Sequence, residues 1–507
     1  MFASVATAVV EGVQGHPVSV EVHVSSGLPG YTLVGLPDVA CRESRDRVRA
    51  AVISSGFKWP QQRVTINLAP AGVRKHGSAL DVPIALGILA ASEQLDPAAL
   101  AHLGAVGELG LDGSLRPVAG MACMVGAVEA TAVVVPERRA GEAAVIRPGE
   151  VHSAPHLREL VTALRGDGPP LTTVAPPAID GHDHHLADLA DVRGQPMARW
   201  SLEVAAAGGH SLLMVGPPGS GKTMLASRLV GLLPDLSAEE ALLATHVHSA
   251  AGLGMPAGGL VRRPPYRAPH HGASLVALVG GGTAALRPGE ISCAHGGVLF
   301  LDELGEFAPT VLDSLRQPLE EGVIRVARAS RAVTLPAEFL LVAAMNPCPC
   351  GEGGAPGRCR CSEAARARYA RRLSGPLLDR FDLRIEVRPP APSLLLGGAP
   401  EEPTRLVAER VARARMRARA RGVPANARLP ASQLDEEVPL TAGATTVLTA
   451  ALEAGRLTGR GLARVRCVAR TIADLVDLDD RVPLDADLVS TALGLRPVPA
   501  VVSGIAS

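Results

Sequence analysis

Residues 216–223 run Gly216, Pro217, Pro218, Gly219, Ser220, Gly221, Lys222, Thr223, a spacing suited to holding phosphate. Gly216, Gly219 and Gly221 permit tight turns that aim backbone N–H groups, and the start of a following helix, at an anion. Lys222 supplies a cation for the β- and γ-phosphates, and the Thr223 hydroxyl a ligand for Mg²⁺. A glycine-rich turn alone would mean little. Here an apolar run (211–215) precedes the loop and helical spacing (224–233) follows it, the strand–loop–helix setting that phosphate binding requires.

A second group lies downstream. The stretch "GGVLFLDEL" (296–304) predicts a buried strand ending in Asp302 and Glu303. Paired with a phosphate loop, the first carboxylate suits Mg²⁺ binding and the second polarises an attacking water. A third apolar run, "FLLVAAMNP" (339–347), predicts a strand ending in Asn346, where a polar side chain can orient that water. An Asn-Pro pair is otherwise an ordinary turn. Together these residues predict ATP hydrolysis with Mg²⁺.

The elements around them divide the chain. Residues 1–165 mix alternating β-like runs with Ala/Leu-rich helical stretches, as in an α+β or α/β domain. Residues 166–186 are rich in Pro, Gly and His and read as a linker. Strand and helix signals then alternate over 187–390, as a parallel sheet demands, and 391–507 reads as helical. Hydrophobic residues make up 47% and formal charge is zero, so any nucleic-acid surface must be a local patch. No run reaches the ~18 apolar residues a membrane span needs, and the N-terminus lacks a signal peptide's pattern, so a cytoplasmic protein with no membrane partner is expected.

These motifs resemble one family closely. "YRAPHHGASLVALVGGGTAALRPGEISCAHGGVLFLDELGEF" (266–307), "AAMNPCPCG" (343–351), "LSGPLLDRFDL" (373–383) and "VARTIADL" (468–475) are similar to the YifB/ComM group of magnesium-chelatase-like AAA+ ATPases. The likeness extends to "GLPGYTLVGLPD" (27–38) and to 63–89. It implies an N-terminal domain of ribosomal-S5/Lon-protease type, an AAA+ P-loop domain and a C-terminal helical lid. It also implies a homo-hexameric DNA helicase that drives branch migration of recombination intermediates, with branched or single-stranded DNA as its partner. Arg380, in "SGPLLDRFDL", resembles the arginine finger that reaches the neighbouring subunit's nucleotide; Arg460, at a helix start in 457–475, resembles the second sensor. Either arginine could instead pair with a surface carboxylate. The chelatase motor subunit, which drives metal insertion into a tetrapyrrole, is the alternative. It is disfavoured because the resemblance implies that chelatase motors lack the front domain and the cysteine cluster. A scaffold with a vestigial ATPase is disfavoured by the intact acidic pair.

Lon-type proteolysis needs a Ser–Lys dyad. Aligned on the resemblance, Ala79 stands where the serine belongs and Ala122 where the lysine belongs, so no nucleophile is activated. The front domain is expected to serve binding or assembly.

Of eight cysteines, Cys348, Cys350, Cys359 and Cys361 cluster as C-x-C-x8-C-x-C. That is tighter than the usual zinc spacing, yet four thiols can close around one structural Zn²⁺. Free thiols in a loop, or a redox-labile pair, are the alternatives. His270 and His271, preceded by Arg262, Arg263 and Arg267, could contact DNA or couple it to the ATP state, or form a solvated hairpin. The histidines at 182–185 read as solvated linker. The segment 405–422 carries seven arginines on a predicted helix, which could bind a DNA backbone or meet acids such as Glu401 and Glu402.

Overall fold

The computed structural model describes residues 1–178, 187–256, 259–282, 286–328, 331–353, 358–397 and 401–497. Its site is organised by a five-stranded parallel sheet in the order Tyr266–Arg267, Val298–Leu301, Leu340–Met345, Leu212–Val215, Leu383–Glu386. The strand entering the glycine-rich loop therefore lies next to the Asn346 strand, which separates it from the Asp302 strand. These short runs are apolar at nearly every position because both faces are covered. Leu212, Met214, Phe300 and Val342 pack on one side, and Leu213, Val215, Leu301 and Ala343 on the other.

The first face is covered by Pro196–Gly208 and by the C-terminal helices, among them Thr404–Ala420 and Gly459–Leu475. The helical tail thus shares one hydrophobic cluster with the sheet. Thr458 caps the helix that begins beside Arg460, its hydroxyl accepting from Gly461 N–H.

The front domain is a separate eight-stranded mixed sheet backed by helices, including the wholly buried Asp81–Ala91. One of its edge strands is Thr172–Thr173, paired with Val151–Ala154. This corrects the expected linker of 166–186. The threonines lend β-propensity and complete a sheet edge, while 179–186, with the histidines at 182–185, lies outside the described residues. A short helix, Pro392–Gly397, likewise occupies the Pro-rich break before the tail.

The two domains are docked. Gly120 N–H and Ala122 N–H donate to the backbone oxygen and hydroxyl of Ser249, at 2.8 and 3.1 Å, on the helix Ala238–Ala251. Ser249 in turn hydrogen-bonds the buried Glu142. Among the described residues, no helix is long and apolar enough to cross a membrane.

Candidate nucleotide site

The loop begins where the strand Leu212–Val215 ends. A Cβ at Gly216 would lie 2.1 Å from the Val387 carbonyl oxygen, which leaves room for glycine alone. Gly219 and Gly221 have φ of +74° and +86°, a region that glycine enters freely. The turn delivers Lys222 as the first residue of the helix Lys222–Leu229. Its ammonium is largely buried and donates to the carbonyls of Gly216 (2.7 Å) and Pro217 (2.9 Å) and to Asn346 Oδ1 (3.3 Å). Burial lowers its pKa, while Asp302 and Glu303 favour the charged form. A cation drawn out of water and held on weak neutral acceptors gains most from an incoming polyanion.

Thr223 Oγ1 donates to Asp302 Oδ2 at 2.7 Å, so a hydroxyl and a carboxylate from different elements share one point. Two hard oxygen donors suit Mg²⁺, which keeps waters and takes few protein ligands. Glu303 follows with φ +53°, a strained conformation for a residue other than glycine. Its carboxylate lies 3.0 Å from His271 Nδ1. The His270 ring lies tilted against that of His271, with centroids 4.0 Å apart. Thr223, Asp302, Glu303, His271 and Tyr266 line one open cavity.

For His270 and His271 this placement favours the alternative of coupling to the ATP state over a solvated hairpin. Both histidines face the acidic pair of the nucleotide site, and Arg267 is engaged by Glu290 in a bidentate pair at 2.6 and 2.8 Å. Gln195 went unnoticed in the sequence. Its Nε2 donates to Ser220 O (2.7 Å) and Arg388 O (2.9 Å), tying the loop to the chain beyond the last strand. A lone glutamine carries no motif, so only the fold reveals it.

Arg380 and Arg460 do not join their own chain's loop. Both donate to Glu320 Oε1, at 2.6 and 2.8 Å, in a separate cleft lined also by Gly209, Pro318 and Arg428. The arginine-rich helix is mostly neutralised within the chain. Arg410 is bidentate to both Glu203 and Glu402, Arg421 pairs with Asp474 and Asp480, and Arg415 donates to the Ala206 and Pro424 carbonyls. This favours the lid-helix alternative over a free DNA-binding face.

The thiols of Cys348, Cys350, Cys359 and Cys361 all lie within 4.8 Å of one another. In the front domain, Ser78 is hydrogen-bonded to Glu108 and Lys75 Nζ donates to the Pro70 carbonyl, so neither activates the other. Ala79 and Ala122 are both buried.

Three family descriptions match the chain: "Magnesium chelatase, subunit ChlI" over 188–394, "Subunit ChlI of Mg-chelatase" over 20–139, and "Magnesium chelatase, subunit ChlI C-terminal" over 401–496. The front domain therefore does not by itself separate this chain from chelatase subunits. The chain is 45% identical over 478 residues to "Uncharacterized protein YifB" of Escherichia coli, covering 92% of each. It is 44% identical over 470 residues to "Competence protein ComM" of Haemophilus influenzae, again covering 92% of each. A more distant relative, "Probable DNA helicase MCM9" of rice, is 26% identical over 210 residues, covering 41% of this chain and 24% of that one. With relatives matched nearly end to end and the chelatase descriptions spanning the loop, the sheet and the helical tail, the chain belongs to the YifB/ComM family of magnesium-chelatase-like AAA+ ATPases.

Proposed function

We propose that this chain is one subunit of a homo-hexameric DNA helicase ring, acting in the cytoplasm, that hydrolyses ATP to drive branch migration of recombination intermediates. The observation that carries the ATPase reading is the convergence of Lys222, Thr223, Asp302 and Asn346, joined by hydrogen bonds across three neighbouring strands. In this reading Gly216–Thr223 cradle the phosphates, Thr223 and Asp302 hold Mg²⁺, and Glu303 and Asn346 position the water. Mg²⁺, when bound, neutralises phosphate charge.

Arg380 acts on the neighbouring subunit's nucleotide as an arginine finger, and Arg460 serves as the second sensor. Their meeting in a cleft apart from their own loop supports this, and a shared carboxylate keeps both poised there. ATP then sits between subunits, and hydrolysis depends on assembly. The DNA reading rests on the relatives named for competence and helicase function. A front domain of Lon type (1–165) that is not proteolytic, a linker trimmed to the residues after Thr173, an ATPase core (187–390) and a lid (391–507) complete the reading. The four cysteines hold a structural Zn²⁺.

The second reading, a chelatase-type motor for metal insertion into a tetrapyrrole, draws on the matched family descriptions. Steady-state ATPase assays with and without four-way-junction DNA separate the two. Stimulation by the junction supports the first. Indifference to DNA together with co-purification of a porphyrin-binding subunit overturns it.

A further inference from the structure

Cys348 is fully buried two residues beyond Asn346, the residue that accepts from Lys222. From there the chain turns sharply, Gly351 N–H donating to Cys348 O at 2.9 Å. Gly351 adopts φ +86° directly against the phosphate loop. A Cβ on it would come within 2.4 Å of Pro218 Cδ and 2.6 Å of Cγ. The turn that carries the first C-x-C pair therefore packs, through Gly351, on Pro218 of the phosphate loop.

The second pair faces another part of the same site. Cys359 and Cys361 lead into the helix Glu363–Ala370, capped by Ser362. Tyr369 of that helix packs against Gly305, where a Cβ would meet its ring at 2.5 Å, just beyond Asp302 and Glu303. Arg372, one turn on, donates to Gly305 O at 2.6 Å and to Glu306 at 2.9 Å.

The sulfurs are already near metal-binding geometry. Their separations are 3.4 Å (Cys348–Cys350), 3.9 Å (Cys348–Cys359) and 3.6 Å (Cys350–Cys359). Tetrahedral zinc with Zn–S of about 2.3 Å places sulfurs about 3.8 Å apart. Gly353 N–H donates to Cys348 Sγ at 3.3 Å, an outer contact of the kind that orients a ligating thiolate.

Resting on the zinc reading above, we propose that the metal is a staple coupling the phosphate loop to the acidic pair. Bound zinc ties the segment packed on Pro218 to the helix packed behind Asp302 and Glu303. Without it, four thiols offer each other only weak contacts, and holding the two C-x-C pairs together falls to the surrounding packing alone. Nucleotide and zinc binding should then favour one another. A coupling of this type changes each affinity by the same factor, typically about 5–150-fold.

The test uses the full-length protein, with zinc measured by elemental analysis and a fluorescent ATP analogue titrated in excess Mg²⁺. About one zinc per chain is expected. A zinc-selective chelator should strip it at least about fivefold less readily when ATPγS is bound, and the stripped protein should bind the analogue weaker by the same factor, with readdition of zinc restoring it. Cys361→Ser, which leaves three thiolates, supplies a second route should stripping unfold the chain, and it should show the same paired losses. Zinc present, but both affinities moving less than about twofold, overturns the staple and leaves the zinc reading standing. Protein that neither contains nor takes up zinc overturns both, without touching the ATPase reading.

Discussion

His271 Nδ1 sits 3.0 Å from Glu303 Oε2, so the carboxylate assigned to polarise water is held by a side chain from the loop after Tyr266–Arg267. A carboxylate engaged by an imidazole is a poorer acceptor for a water proton. Both side chains are partly exposed, at 35% and 52%, which limits the pair to about 1 kcal/mol or less. His271→Ala should therefore raise DNA-independent ATP turnover by up to about fivefold. Steady-state kcat without DNA is the measurement; a fall would show that His271 instead orients Glu303 productively.

Glu303→Gln removes a base while preserving size and hydrogen-bonding capacity. Nucleotide affinity should stay nearly unchanged and turnover should fall by about 10²–10⁴-fold. Lys222→Ala should act at the earlier step, since it removes the buried ammonium next to Asn346. Equilibrium titration with a fluorescent ATP analogue separates the two effects. Normal hydrolysis by Glu303→Gln would reassign the base.

Because Arg380 and Lys222 lie in different clefts of one chain, their variants should complement each other in a ring. Lys222→Ala and Arg380→Ala are each expected to be inactive alone. Mixed in equal amounts and allowed to reassemble, about a quarter of subunit interfaces carry both intact residues, and activity should recover toward that fraction. A finger acting within its own chain predicts no recovery from the mixture.

Ser249→Ala tests the docking of the front domain. The hydroxyl serves both Ala122 N–H and the buried Glu142 carboxylate. Its loss leaves buried polar groups unpaired and should cost about 1–3 kcal/mol, read as a lower melting temperature. The deficit should also depend on pH. Burial raises the Glu142 pKa and the Ser249 hydrogen bond opposes that rise. A raised folded-state value means that stability from this group is present at acid pH and lost as pH climbs through that value. Removing the hydroxyl raises the value further, so the gap between wild type and variant should widen from acidic to neutral pH.

The conformation of the loop 216–223 was legible in the sequence because adjacent residues set it. Gly219 and Gly221 take their positive φ within the segment itself, and the helix that presents Lys222 starts at once. The strand ends that carry Asp302 and Asn346 were equally readable. A short apolar run bounded by turn residues behaves alike in any α/β sheet with both faces covered. The cysteine spacing announced a cluster for the same local reason.

What the sequence could not decide are the partners chosen across the fold. Thr223 meets Asp302 over 79 positions, Arg460 meets Glu320 over 140, and Gln195 reaches the Arg388 carbonyl over 193. Each contact depends on strand order and register, above all on Leu340–Met345 lying between the other two motif-bearing strands. The arginine-rich segment shows the same division. Composition alone allowed a DNA-binding face, and packing beside Glu203, Glu402 and Asp474 neutralised much of its charge internally. Local chemistry follows from residue order, because backbone turns and caps need only their neighbours. Pairing between distant side chains belongs to tertiary structure, because burial determines which charges meet.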